Sequence, residues 1–101
     1  KNDQAFTLSC WLGHLNVAKW LIKKYPDIDV RTCDDMAFRW SCESGYIDVA
    51  KWILSLNVGV DIHDEESLEN CRNRGHTHVV EWILKKRRKT NANKKMKYFF
   101  L

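Results

Sequence analysis

Apolar positions recur along most of this chain at the spacing of helices that bury one face. Ala5, Phe6, Ser9 and Cys10, with Leu8 and Leu12 beside them, predict a helix over residues 4–12 with a small-residue face. Gly13 is suited to end it, because the residue after a helix often takes a left-handed conformation in which a Cβ is penalised. Val17, Ala18, Leu21 and Ile22 predict a second helix with Lys19, Lys23 and Lys24 on its other side, and Pro26 stops it. Residues 25–35 then alternate polar with β-branched side chains ahead of an acidic turn, which predicts an extended connector.

This plan occurs three times. The stretch Gly13-His14-Leu15-Asn16-Val17-Ala18-Lys19-Trp20-Leu21-Ile22 returns as Gly45-Tyr46-Ile47-Asp48-Val49-Ala50-Lys51-Trp52-Ile53-Leu54 and as Gly75-His76-Thr77-His78-Val79-Val80-Glu81-Trp82-Ile83-Leu84. The glycines lie 32 and then 30 residues apart, a period of stacked-unit architectures. Two short helices with one apolar face each cannot bury those faces alone, so each unit must lean on its neighbours. The second unit has Ala37, Phe38, Ser41 and Cys42 before its glycine, and the third has Leu68 and Cys71.

A helix, a Gly-His turn, a helix and a finger every 30 to 33 residues resemble the ankyrin repeat. Gly13-His14, Gly75-His76, Ile28-Asp29-Val30 and Val60-Asp61-Ile62 match that family's turn and finger, and the resemblance covers residues 4 to about 86. The family's Thr-Pro-Leu-His start is replaced by Gln4-Ala5-Phe6-Thr7, Met36-Ala37-Phe38-Arg39 and Glu66-Ser67-Leu68-Glu69, which keep only the apolar third position. The variant with Ala-Phe, Cys, Gly-Tyr and Ala-Lys-Trp is similar to ankyrin arrays of giant viruses of amoebae. The resemblance implies an all-α ankyrin-type solenoid with repeats over 1–33, 34–64 and 65–88, the last one capping, and a basic tail over 89–101. It also implies a non-catalytic, monomeric protein-interaction module that needs no cofactor. Its partner protein would touch the concave face and fingers at Trp11, Leu12, Thr32, Cys33, Asp35, Glu43, Ser44, His63, Glu65, Asn73 and Arg74.

Composition changes this picture little. At 101 residues the chain holds one domain, and 45% hydrophobic with 30% charged residues is ordinary for a folded protein. No run of about 18 apolar residues is present to span a membrane. The start has neither a signal region nor an initiator Met and reads as a cut from a longer chain. Cys10, Cys33, Cys42 and Cys71 form no C-x-x-C pair, and no N-x-[ST] site occurs, so reduced thiols and an intracellular location, cytoplasmic or nuclear, are expected; the resemblance implies a virus or its host cell.

Charge is divided unevenly. Residues 1–84 hold 9 Lys/Arg against 13 Asp/Glu, a balance of −4, and residues 85–101 hold 8 Lys/Arg and no acid, a balance of +8. Lys85, Lys86, Arg87, Arg88 and Lys89, followed by Lys94, Lys95 and Lys97, form clusters of the kind that serve as nuclear-import signals or contact nucleic acid or anionic membranes. A solvated tail or a polar cap, with Tyr98 to Leu101 folded back on the stack, is the structural alternative, and Asn91 and Asn93 weaken any helix between the clusters. Five carboxylates, Asp34, Asp35, Asp64, Glu65 and Glu66, are expected near finger tips, as solvated turns or as a surface for a basic partner.

Other chemistry finds little support. No phosphate-loop pattern and no nucleophile–base signature occur, and a shallow solenoid face is no catalytic pocket. Cys10 with His14, and Cys71 with His76 and His78, fall short of four converging zinc ligands and occupy positions with structural uses. Trp20, Trp52 and Trp82 precede apolar pairs and are expected to pack between neighbouring units, not to stack on bases. By resemblance Trp40 falls where the family buries its side chain. Trp11 with Leu12 falls where it is exposed, as a partner anchor or as the seam to a preceding repeat.

Overall fold

The computed structural model describes residues 2–99, with side chains for residues 2–89. Among the described residues the chain is all-helical, with α1 (Asn2–Trp11), α2 (Leu15–Lys24), α3 (Thr32–Glu43), α4 (Ile47–Ser55), α5 (Glu65–Asn73) and α6 (Thr77–Phe99). Each odd-numbered helix packs on the even-numbered helix that follows it, and α3 packs on both α1 and α5. The molecule is therefore three helix pairs side by side, with α1, α3 and α5 in contact along one layer.

The recurring glycine closes each first helix in the same way. His14, Tyr46 and His76 donate their backbone N–H to Ser9, Ser41 and Cys71 carbonyls at 2.8, 2.9 and 2.9 Å, the long-reach bond of a left-handed helix cap. Gly45 has φ 82°, and a Cβ there would lie 2.6 Å from the His76 ring of the next pair. Left-handed backbone and close neighbour approach thus act at one position.

The core follows the helical spacing. Phe6, Cys10, Ala18, Leu21, Ala37, Phe38, Cys42, Val49, Ala50, Ile53, Leu68, Cys71, Val79, Val80 and Ile83 are buried. Burial raises the thiols of Cys10 to about 12 and Cys71 to about 11, and raises Cys42 as well. At neutral pH these cysteines are protonated and act as small hydrophobes. Three aromatic contacts cross the seams between pairs among the described residues: Phe6 meets Trp52 with ring centroids 6.0 Å apart, Phe38 meets Trp82 at 6.2 Å, and Trp11 meets Trp40 at 4.8 Å. Trp52 and Trp82 are half-buried as expected, but Trp20 is 53% exposed, which corrects the expectation that it packs between units. Its ring meets Tyr25 edge-on at 6.4 Å and lies 5.0 Å from the Lys24 ammonium.

The connectors are not the extended fingers that residues 25–35 predict. The first connector turns at residues 26–27 and 30–31, and both connectors are pinned by aspartates and contain no strand. Asp3 accepts the Asp29 N–H at 2.9 Å and Asp35 accepts the Asp61 N–H at 3.0 Å, so a carboxylate in one first helix holds the connector that leaves its own unit. Asp29 and Asp61 in turn accept the N–H two residues on, at 3.0 and 2.7 Å, the side-chain turn typical of aspartate.

Asp35 was expected at an exposed finger tip, and it is 3% exposed. Its carboxylate accepts from Arg31 Nε at 2.7 Å and Nη2 at 3.1 Å. Cys33, Asp34 and Asp35 at the start of α3 all have positive φ, 56°, 56° and 62°. Left-handed backbone costs a residue with a Cβ about 1–2 kcal/mol. The Arg39 guanidinium clamps this turn by donating to the Asp34 carbonyl at 2.8 Å and the Cys33 carbonyl at 3.3 Å. Turned inward, the Asp35 carboxylate accepts from Arg31 and from the Asp61 backbone N–H.

The last helix continues to Phe99, through the asparagines expected to weaken it. Lysine and arginine are good helix formers, and each asparagine costs only a few tenths of a kcal/mol more. The proposed fold-back of residues 98–101 lies outside the described side chains.

Candidate functional site

The C-terminal ends of α1 and α3, with the residue just past α5, surround a cavity of about 230 Å³ lined by Trp11, Trp40, Glu43, Ser44 and Arg74. Trp11 ends α1, whereas Trp40 and Glu43 are three apart on α3 and so share a helix face. The two indoles meet with centroids 4.8 Å apart at 58°, forming a continuous bent apolar wall. Trp11 remains 42% exposed, and Trp40 is half-buried.

The opposite wall is polar and held in place. Glu43 is 8% exposed, with one carboxylate oxygen accepting from Ser67 Oγ at 3.2 Å and the other from Asn70 Nδ2 at 2.9 Å. Arg74 donates Nη1 to the Glu43 backbone carbonyl at 3.3 Å and is otherwise exposed. A bent aromatic wall thus faces a fixed carboxylate and a guanidinium. Such a site can seat a side chain with an apolar body and a polar end.

Of the expected partner residues, Trp11, Glu43, Ser44 and Arg74 come together here, and Leu12, Thr32, Cys33, His63 and Asn73 do not line the cavity. Leu12, Cys33, His63 and Asn73 are exposed, and Thr32 is half-buried. Asp35 is withdrawn from the surface, as described above. Glu43, expected to be exposed, is nearly enclosed yet keeps a place in the wall. Trp40 is the site residue that the sequence reading misplaces as buried. Its spacing of three from Glu43 on one helix was the signal that it shares the Glu43 face.

The basic residues divide between structure and surface. Arg87 donates Nε to the Ile62 carbonyl at 2.5 Å and Nη1 to Glu65 at 2.6 Å, and its side chain is only 13% exposed. It fastens α6 to the second connector and so is withdrawn from any import-receptor or phosphate contact. Lys85, Arg88 and Lys89 are exposed, and Lys86 is half-buried. Lys85, Lys86 and Lys89 join Lys51, Trp82, Leu54, Ser55 and Asn57 around a second, wider groove of about 580 Å³. Side chains of Lys94, Lys95 and Lys97 lie outside the described residues.

Among the described residues no group of three or more His, Cys, Asp or Glu is placed to hold a metal ion. Among the same residues no helix is long and apolar enough to cross a membrane. No family model matches the chain, and no curated protein or solved structure matches it significantly.

Proposed function

We propose that this chain is a protein-interaction module of the ankyrin type, non-catalytic, which grips a side chain of its partner between the Trp11 and Trp40 indoles and the Glu43–Arg74 wall. The observation that carries the reading is the convergence of three successive units on one pocket with a preformed aromatic wall. Aromatic and arginine side chains in partly enclosed positions dominate binding energy at protein interfaces. The 32- and 30-residue periods and the side-by-side helix pairs support the solenoid reading.

Peptide display panned against the whole chain tests it. Selected peptides should lose tenfold or more in affinity on Trp40→Ala, with helicity retained by circular dichroism, and should be indifferent to Trp20→Ala. Peptides that depend on Trp20 and ignore Trp40 would overturn the assignment.

A second reading rests on the groove of Lys51, Lys85, Lys86 and Lys89 with Trp82 in its lining. A basic groove with an aromatic surface is the chemistry of single-stranded nucleic-acid contact. Affinity for an oligonucleotide should then fall steeply from about 50 to 200 mM salt and weaken on Lys51→Glu. Binding that ignores both changes removes this reading.

A further inference from the structure

The three units carry the same residue types at the same register, so differences in exposure between equivalent side chains report what each unit lacks. Val17, Val49 and Val79 are equivalent; Val49 and Val79 are 0% exposed, and Val17 is 47% exposed. Trp52 lies against Phe6 of the preceding unit and Trp82 against Phe38 of the preceding unit, whereas Trp20 is 53% exposed. Trp40 packs on Trp11 of the preceding unit, and its equivalent in the first unit, Leu8, is 49% exposed. In the second unit Trp52 and Trp40 each meet a ring of the unit before them, and Val49 is fully buried.

We infer that the outer face of the first unit, presenting Leu8, Val17 and Trp20, docks a further helix pair of the same construction, with an aromatic ring at the register of Phe6 set against Trp20. The face continues the geometry of the two seams already present, so an occupant built like the first unit would bury it as the first unit buries the second. A second copy of this chain fits poorly head to tail. Its Leu68, at the Phe6 register, is already 2% exposed, and Glu69 and Arg72 beside it would meet Val17 and Trp20 with charge. Leu8, Val17 and Trp20 are large apolar side chains left about half exposed, a mark of an unfilled interface. The inference does not depend on the Trp11–Trp40 pocket binding a partner.

The test extends the whole chain by a copy of residues 31–62, which keeps Arg31 with its Asp35 partner, placed directly before Lys1. Lys1 is equivalent in register to His63, so the added phenylalanine falls 44 residues before Trp20, as Phe38 does before Trp82. The extended chain should melt in one transition about 10 °C higher, and the fluorine resonance of labelled Trp20, assigned by Trp20→Phe, should lose its solvent accessibility. Phe38→Asp in the added copy alone should remove most of the gain. Val17→Lys should abolish it and yet move the unextended chain by less than about 2 °C. An added unit that melts separately, or leaves Trp20 accessible, overturns the inference. So does an unextended chain that sediments as a dimer with Trp20 already covered, since the occupant would then be a second copy.

Discussion

Asp35 and Glu65 hold the same register in successive units, and their surroundings differ completely. The Asp35 side chain is 4% exposed and is satisfied by Arg31 and by the N–H of Asp61 in its own connector. Glu65 is 73% exposed and takes its partner from α6, where Arg87 reaches it at 2.6 Å. The difference shows that register alone does not fix what a carboxylate contributes. A charge held in a dry seam by backbone and guanidinium must be kept paired, and a charge in water contributes little whichever partner it has.

The largest test of that contrast is Asp35→Ala, which leaves the Asp61 N–H unpaired and removes the carboxylate that Arg31 grips. It should cost about 3 kcal/mol in denaturant unfolding. The cost has a pH signature. Burial acts to raise the Asp35 carboxyl, but hydrogen bonds from Arg31 and the Asp61 N–H, with the Arg31 charge, hold it below the usual carboxylate value. A depressed folded-state value means that the unfolded chain takes up the proton first as pH falls. The stability gap between wild type and Asp35→Ala should therefore be complete above the unfolded value of about 3.9 and shrink as pH drops through the lower folded value. A gap that stays constant down to pH 2 would remove the ionic contribution.

The next test compares equivalent valines. Val49→Ala empties a fully buried site and should cost about 2 kcal/mol, and Val17→Ala, at 47% exposure, should cost less than about 0.5 kcal/mol. Equal losses would mean that Val17 is covered in solution. The smallest effect belongs to Glu65→Gln, expected to change stability by no more than about 0.5 kcal/mol and less still at high salt. A loss comparable with that of Asp35→Ala would erase the distinction between the two positions.

Much of the helical plan was legible before any coordinates. Gly13, Gly45 and Gly75 mark the helix ends because only glycine takes that turn without strain, and Phe6, Phe38, Val49 and Ile53 follow the helical spacing into the core. The candidate site was legible in part. Trp11, Glu43, Ser44 and Arg74 follow from their offset from the repeat, but the resemblance puts Trp40 in the core, because its register in its own unit says nothing about the Trp11 ring it meets in the unit before. The connectors were least legible. Alternating β-branched residues suggest extension, yet three consecutive left-handed residues are stable there only because Arg31 and Arg39 arrive from either side.

By itself the sequence determined the repeat, the helix boundaries near each glycine and which faces are apolar, since these depend on spacing within one unit. Only the tertiary structure decided which of the equivalent residues are covered. Burial of Val49 and exposure of Val17, enclosure of Asp35 and exposure of Glu65, and the meeting of Trp11 with Trp40 all depend on the neighbouring unit. A residue's own sequence context does not record what lies against it, and desolvation by that neighbour sets both its energetic weight and its availability to a partner.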